Sequence, residues 1–175
     1  MYDILQKLYE KIEIRTSSAQ EVKPDWPCRK GCSLCCQKLA YPLIITETEW
    51  SYLSKGMAQL PPEVQQEVHQ KIESLGTWDK TQQKHVVCPL LDQETGACRT
   101  YEYRPAACRM YGFYVSRHNN QWCEEIEVLY TSHQLDGVIL GNFTATKEQL
   151  KRNFGEEKSI VEWYKSTKEA KHQGE

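Results

Sequence analysis

Apolar positions along this chain recur at helical spacing more often than at the two-residue spacing of a strand. Ile4, Leu5, Leu8, Tyr9 and Ile12 make one stripe with charges on the other face, which predicts a helix over 1–14. Residues 15–27 lose that period and hold Thr16, Ser17, Ser18, Pro24 and Pro27, the composition of a loop. Tyr41 to Ile45 is a short apolar run and predicts a buried extended segment. Thr46-Glu47-Thr48-Glu49 fits a capping box, in which Thr46 accepts from the Glu49 backbone N–H and the Glu49 carboxylate reaches back to the Thr46 N–H. The helix it opens should run from Glu47 to Lys55 and stop at Gly56. Pro61-Pro62-Glu63 opens another, with Val64, Val68, Ile72 and Leu75 on one stripe and Gly76 as its stop.

Residues 77–85 are polar and irregular. Gly112 to Arg117, His118-Asn119-Asn120 and Gln121 to Ile126 then read as a β-hairpin around a polar turn. Beyond 124 the composition is helical: Thr146–Phe154 before Gly155, then Glu156–Ala170 carrying Ile160, Val161, Trp163 and Tyr164. No repeat, low-complexity tract or linker interrupts the chain. The expected fold is mainly α with a small β-hairpin, a single compact α-rich domain over 1–175 organised around a cysteine metal site. Its cysteine-cluster core spans about 28–123, between a helical N-terminus (1–14) and a helical C-terminal tail (124–170). A chain of 175 residues can bury its own core without disulfides or metal.

Charge narrows the function. Lys+Arg is 22 and Asp+Glu is 24, a net charge of -2, which argues against nucleic acid as a partner. No apolar run approaches the ~20 residues of a membrane helix. The start, Met1-Tyr2-Asp3-Ile4-Leu5, lacks the basic and apolar regions of a secretory signal, so a cytoplasmic location is expected. The abnormal count is 8 cysteines. In a reducing cytoplasm, clustered thiols point to metal binding or catalysis rather than disulfides.

The first cluster is Cys28-Arg29-Lys30-Gly31-Cys32-Ser33-Leu34-Cys35-Cys36. Cys32-x-x-Cys35 lets one turn present two sulfurs to one metal, Gly31 permits the backbone angles such a turn needs, and Arg29 and Lys30 would lower the thiol pKa values. The second cluster is Cys88-Pro89-Leu90-Leu91, Cys98 and Cys108, and Cys123 follows the expected hairpin turn. Neighbouring side chains tend to diverge, so Cys35 and Cys36 serve two centres, or one bridges, or one is a buried structural thiol. Eight thiols permit two four-thiolate sites, or one site with spares. All-thiolate ligation selects zinc, iron–sulfur clusters or copper(I) over magnesium and calcium. Cys28-x3-Cys32-x2-Cys35 also has the spacing of a radical-SAM cluster loop, but no barrel pattern accompanies it. A buried structural role competes best at Cys123, and a disulfide or redox-sensing role is the remaining alternative for the first cluster.

Cys28…Cys32…Cys35-Cys36, Cys88-Pro89-Leu90-Leu91, Cys98-x-x-Tyr101 and Arg104-Pro105-x-x-Cys108-Arg109-x-Tyr111 together resemble the YkgJ-type cysteine-cluster family, also called CxxCxxCC, the zinc- or iron-chelating domain family. The likeness covers roughly 28–111, and the Thr46-x-x-Glu49 helix start resembles that family's segment after the double cysteine. The first gap is three residues here against two in the family name. The resemblance implies a bound zinc or iron, mononuclear or as an iron–sulfur cluster. A related cysteine-rich domain occurs in flagellin lysine N-methylase, so an iron-dependent enzyme of protein modification is the alternative to a structural or metal-handling protein. It names no substrate, and a protein partner stays open.

Around Cys108, Arg104 or Arg109 either compensates thiolate charge or binds an anion, or Arg104 ties down a loop through backbone carbonyls, while Pro105 fixes the turn that presents Cys108. Among His69, His85, His118, His133 and His172 none pairs at ligand spacing, and His85, three residues before Cys88, is the best placed. Glu47 and Glu49 are conceivable iron ligands, although capping accounts for Glu49. Trp50 and Trp163 sit on helical stripes and read as core.

Overall fold

The computed structural model describes residues 2–79, 81, 85–116 and 122–172. The fold is mainly α, as the apolar spacing predicts. The first helix, α1 (Tyr2–Val22), runs well past residue 14. Residues 15–22 read as loop because of Thr16, Ser17 and Ser18, but Thr16 and Ser18 turn their hydroxyls back onto the Glu13 and Ile14 carbonyls and Ala19 is buried. A short turn of helix, α2 (Leu34–Gln37), precedes strand β1 (Ile44–Thr46) and helix α3 (Glu47–Met57). Both halves of the capping box form at Thr46 and Glu49. Gly56 does not stop α3. It is the second-last residue of α3, which ends at Met57, and the ring of Tyr103 occupies the space a Cβ would need there.

Helix α4 (Pro62–Ser74) starts on its proline and buries Val68 and Ile72. It ends in a 3-10 turn (Leu75–Thr77) at Gly76. A second 3-10 turn (Tyr101–Tyr103) leads into α5 (Ala106–Met110). The expected hairpin is replaced by another arrangement. Its first arm forms β2 (Tyr114–Val115), but β2 pairs in parallel with β3 (Gly141–Asn142), registering Tyr114 with Gly141 and Val115 with Asn142. The second arm enters α6 (Glu124–Thr131), whose first turn carries Glu124, Glu125 and Glu127. Acidic side chains there favour the helix through its N-terminal dipole. The turn at 118–120 lies outside the described residues. Helix α7 (Phe143–Phe154) is capped by Asn142 and ends at Gly155. Strand β4 (Glu157–Ser159) pairs antiparallel with β1, and α8 (Ile160–His172) follows.

Two clusters of buried side chains hold these elements. The first gathers Leu5, Leu8, Tyr9 and Ile12 of α1 with Trp26, Met110, Phe113 and Ile126. The second gathers Leu53 and Met57 of α3 with Ile72, Leu91, Ile160 and Trp163. Trp50 and Trp163 are core residues that satisfy their indole N–H groups on Thr167 Oγ1 at 3.0 Å and the Ile45 carbonyl at 2.9 Å. Helices α3 and α5 touch both clusters: Tyr52 packs on the first and Leu53 lies in the second, while Ala106 and Met110 lie in the first and Cys108 packs on the second. The cysteines arrive along α5 and the loops around it.

Candidate metal centre

The first cluster begins on an anchor. Trp26 is 1% exposed and stacks on Phe113 at 5.2 Å, which fixes the chain two residues before Cys28. The Cys28 carbonyl accepts from Gln20 Nε2 of α1 at 3.1 Å. Gly31 takes φ +93°, the left-handed backbone that the turn into Cys32 demands. The Cys32 N–H donates to the Arg29 carbonyl at 3.0 Å. Cys35 and Cys36 then lie on α2, their sulfurs 3.9 Å apart.

Backbone pairing brings the second cluster to the first. Leu39 and Val86 exchange both backbone hydrogen bonds, at 2.9 and 2.7 Å, and the Cys88 N–H donates to the Cys36 carbonyl at 2.7 Å. The turn after Cys88 folds back so that Leu91 bridges Cys98. Its loop is closed by Asp92, whose Oδ1 accepts from the N–H groups of Glu94 and Thr95. Cys108 rides on α5, and its N–H donates to the Pro105 carbonyl at 3.0 Å, so Pro105 presents Cys108 as expected.

Glu49 sets the position of α5. It is 2% exposed, and besides closing its own cap it accepts from the Ala106 N–H at 2.8 Å and from the Tyr9 hydroxyl at 3.3 Å. Its donors explain its burial as an anchor rather than a ligand, while Glu47 is exposed. The pattern Thr46-x-x-Glu49 announced the cap but not this reach across the fold.

Arg109 is the loop tie. Its guanidinium donates to the Arg104 carbonyl at 2.8 Å and the Glu102 carbonyl at 2.6 Å, pairs with Glu13 and lies over the Tyr9 ring. Arg104 donates to the Tyr101 carbonyl at 3.0 Å, stacks on that ring, and is the cation that favours the thiolates of Cys35 and Cys108. Arg104 thus combines the two roles its position allowed. Arg29 and Lys30 are exposed. Lys30 is engaged with Glu102 at 3.6 Å and with the Tyr101 ring, and Arg104 takes the charge-compensating place expected of that pair.

The thiols influence one another. Burial, then the thiols of Cys123, Cys32 and Cys35, raise the Cys28 pKa well above the ordinary thiol range. Cys35 is raised by its hydrogen bond to Cys36 and by burial. That same bond favours the Cys36 thiolate, but the Cys88 thiol and burial push Cys36 up to about 12. Burial raises Cys108, with Cys36, Cys35 and Cys98 adding to it. Tyr111 is raised by burial and then by the charge of the nearby Cys35, Cys123, Cys28 and Cys32 thiols, a neighbourhood its sequence position did not announce.

All eight cysteines are free, Cys88 buried and the others half-buried. Among the described residues no three His, Cys, Asp or Glu side chains close to coordination distances. The thiols stand instead at hydrogen-bonding and electrostatic range of one another. A tetrahedral zinc with Zn–S of about 2.3 Å has S···S edges of about 3.8 Å, and the Cys35–Cys36 separation of 3.9 Å matches that edge. His85 and His133 are exposed, and the side chains of His118 and His172 lie outside the described residues.

Fold and thiols together define a mainly α protein built around a cysteine cluster. The model of the CxxCxxCC family, described as a "putative zinc- or iron-chelating domain", matches residues 27–126, and the chain belongs to that family. No curated protein and no solved structure matches the chain. No helix is long and apolar enough to cross a membrane among the described residues.

Proposed function

We propose that this protein binds zinc or iron through its cysteine thiolates, in a structural or metal-handling role. What supports the reading is that Cys36, Cys88, Cys98 and Cys108, far apart in sequence, pack on one apolar cluster, that the Cys35 and Cys36 sulfurs lie 3.9 Å apart, and that Arg104 is a nearby compensating cation; Cys28, Cys32 and Cys123 are the further candidate ligands. The donor set is soft sulfur, which selects zinc, copper(I) and iron–sulfur chemistry over magnesium and calcium. Eight free thiols in reach of one another suit a reducing compartment such as the cytoplasm.

Elemental analysis and a UV–visible spectrum test this on protein purified without oxygen or affinity metal. Zinc at one or two ions per chain with a featureless visible spectrum is expected of a structural or handling role. Iron with broad absorption near ~400 nm, the charge-transfer region of Cys-ligated clusters, would instead favour an iron–sulfur protein. A chain that takes up neither metal after reduction would overturn the reading.

A further inference from the structure

Helix α6 and the loop after it form a face of unusual charge. From 118 to 146 the sequence holds Glu124, Glu125, Glu127 and Asp136 and no Lys or Arg. All four carboxylates are exposed. No ion pair among the described residues engages the three glutamates, and Asp136 lies 3.7 Å from His133. The same face is apolar: Val128, Tyr130 and Ile139 are 56%, 50% and 68% exposed. Glu124, Val128 and Thr131 follow one another at helical spacing along α6. Thr131 also borders a cleft of about 390 Å³ lined by Tyr130, Leu135, Val138 and Leu140 together with His133 and Asp136.

The cleft is held from behind. Leu135 belongs to the first hydrophobic cluster, and Leu129, Val138 and Leu140 pack against it, which leaves Ile139 outside. Tyr130 rests on Trp122, with ring centroids 5.0 Å apart. The Gln134 N–H on the Leu129 carbonyl and the His133 N–H on the Tyr130 carbonyl close α6 as a Schellman motif, whose left-handed place glycine usually fills. Here His133 fills it at φ +58°, the only non-glycine residue with such a backbone among the described residues. Strain of that kind persists where a side chain serves more than the fold, and this one lines the cleft.

A braced aromatic beside an apolar cleft, with charge around it, has the anatomy of a protein-docking site. Its charge decides the occupant. A second copy brought up by a two-fold axis would set these carboxylates against themselves. Nucleic acid and anionic lipid are repelled in the same way. The exposed stripe runs on along α6 beyond the cleft, which suits an extended chain. We propose that α6 and the 132–140 loop dock a cationic peptide segment of a partner protein. It seats one apolar side chain in the cleft beside Tyr130 and sets Lys or Arg opposite Glu124, Glu125 and Asp136. The proposal is independent of the metal-binding reading.

A phage-displayed library of random dodecapeptides, panned on the reduced full chain, tests this. The expected peptides combine Lys or Arg with an aliphatic or aromatic residue. They should bind the Val128→Ser, Ile139→Ser double variant about tenfold more weakly than the parent, the size of a lost interface anchor. Glu124→Gln with Glu125→Gln should weaken them about threefold and flatten their salt dependence. All four positions are exposed, so both variants keep the fold. Amide shifts of the isotope-labelled parent on adding the tightest peptide should centre on 124–140. Neutral or acidic peptides, binding that the double variant leaves unchanged, shifts centred elsewhere, or no enriched peptide at all would each overturn the proposal. So would a dimer, seen by sedimentation, that Ile139→Ser dissolves, because it would give the face to a second copy.

Discussion

The thiols on the second apolar cluster, an inner group of Cys36, Cys88, Cys98 and Cys108, and those on the first, an outer group of Cys28 and Cys123, are held by different means. The inner group is framed by backbone pairing: the Leu39–Val86 bridge, the Cys88-to-Cys36 hydrogen bond and the Leu91–Cys98 bridge. The outer group is held by a turn at Gly31, by the Trp26–Phe113 stack and by the start of α6. Both groups combine a long-range tie with a local one: the Leu39–Val86 bridge and the Leu91–Cys98 bridge for the inner group, the Trp26–Phe113 stack and the Gly31 turn for the outer. The difference is that the inner ties are backbone hydrogen bonds and the outer long-range tie is side-chain packing, which a single side-chain truncation can remove.

The largest effects that would sharpen this contrast come from the two apolar clusters. Leu91→Ala removes a side chain 2% exposed beneath the inner thiols, and Ile126→Ala one 0% exposed near the outer ones. Each should cost about 3 kcal/mol in urea unfolding of the metal-free protein. In alkylation mapped by mass spectrometry, Leu91→Ala should expose the inner thiols first and Ile126→Ala the outer ones. Equal exposure of both groups in both variants would break the contrast.

Next comes Glu49, which ties α3 and α1 to the α5 N-terminus. Glu49→Ala leaves the Ala106 N–H and the Thr46 N–H without their buried acceptor and should cost about 2–3 kcal/mol. Glu49→Gln keeps an acceptor and should cost less. Because α5 carries Cys108, the Ala variant should speed alkylation of Cys108 while leaving Cys28 near the parent rate, as mapped by mass spectrometry.

pH should move the two states of the protein in opposite directions. Cys36 is raised from the ordinary thiol value of about 8.5 to about 12 in the metal-free fold. Cys28, Cys35 and Cys108 are raised as well. Their folded state therefore holds protons that the unfolded chain releases first, so the stability present below pH ~8.5 declines as pH rises through the interval up to the folded values. The Tm of reduced, metal-free protein should fall between pH 7 and 9.5. Metal affinity should rise over the same change, because binding expels thiol protons. A Tm of the metal-free protein that rises with pH would contradict the burial of these thiols.

The smallest effects test the periphery. Cys123→Ser should leave metal-free stability unchanged or raise it by about 0.5–1 kcal/mol through a better cap, since Cys123 is the α6 N-cap and makes no side-chain cap bond. Lys30→Ala should change stability by less than about 0.5 kcal/mol and leave the ion count alone, since an exposed pair with Glu102 at 3.6 Å contributes little. A lost ion in Lys30→Ala would restore Lys30 to the metal centre.

Much of this was legible beforehand, for reasons local to the chain. The capping box at Thr46 and Glu49 is a four-residue pattern whose partners are its own backbone. The Pro62 start of α4 and the Gly155 end of α7 are equally local. The errors fell where a distant partner decided the outcome. Gly56 reads only as a helix stop, and α3 does end one residue later, but that the position also needs glycine to admit the Tyr103 ring shows only in the fold. Residues 112–126 read as a hairpin until β2 takes β3, some 27 residues on, as its parallel partner. Thr16 to Ser18 read as loop until Ala19 is seen to be buried against the first cluster.

The sequence by itself determined the thiol chemistry: cysteine count and spacing and the family pattern all lie in the order of residues, and sulfur ligands select their metals wherever they stand. It also determined most helix starts, because caps and prolines act within one turn. The tertiary structure alone decided the grouping of the thiols, the anchoring of α5 by Glu49, the loop tie at Arg109 and the placing of Tyr111 near four thiols. These depend on which apolar face each segment buries, and burial is a relation between segments far apart in the chain.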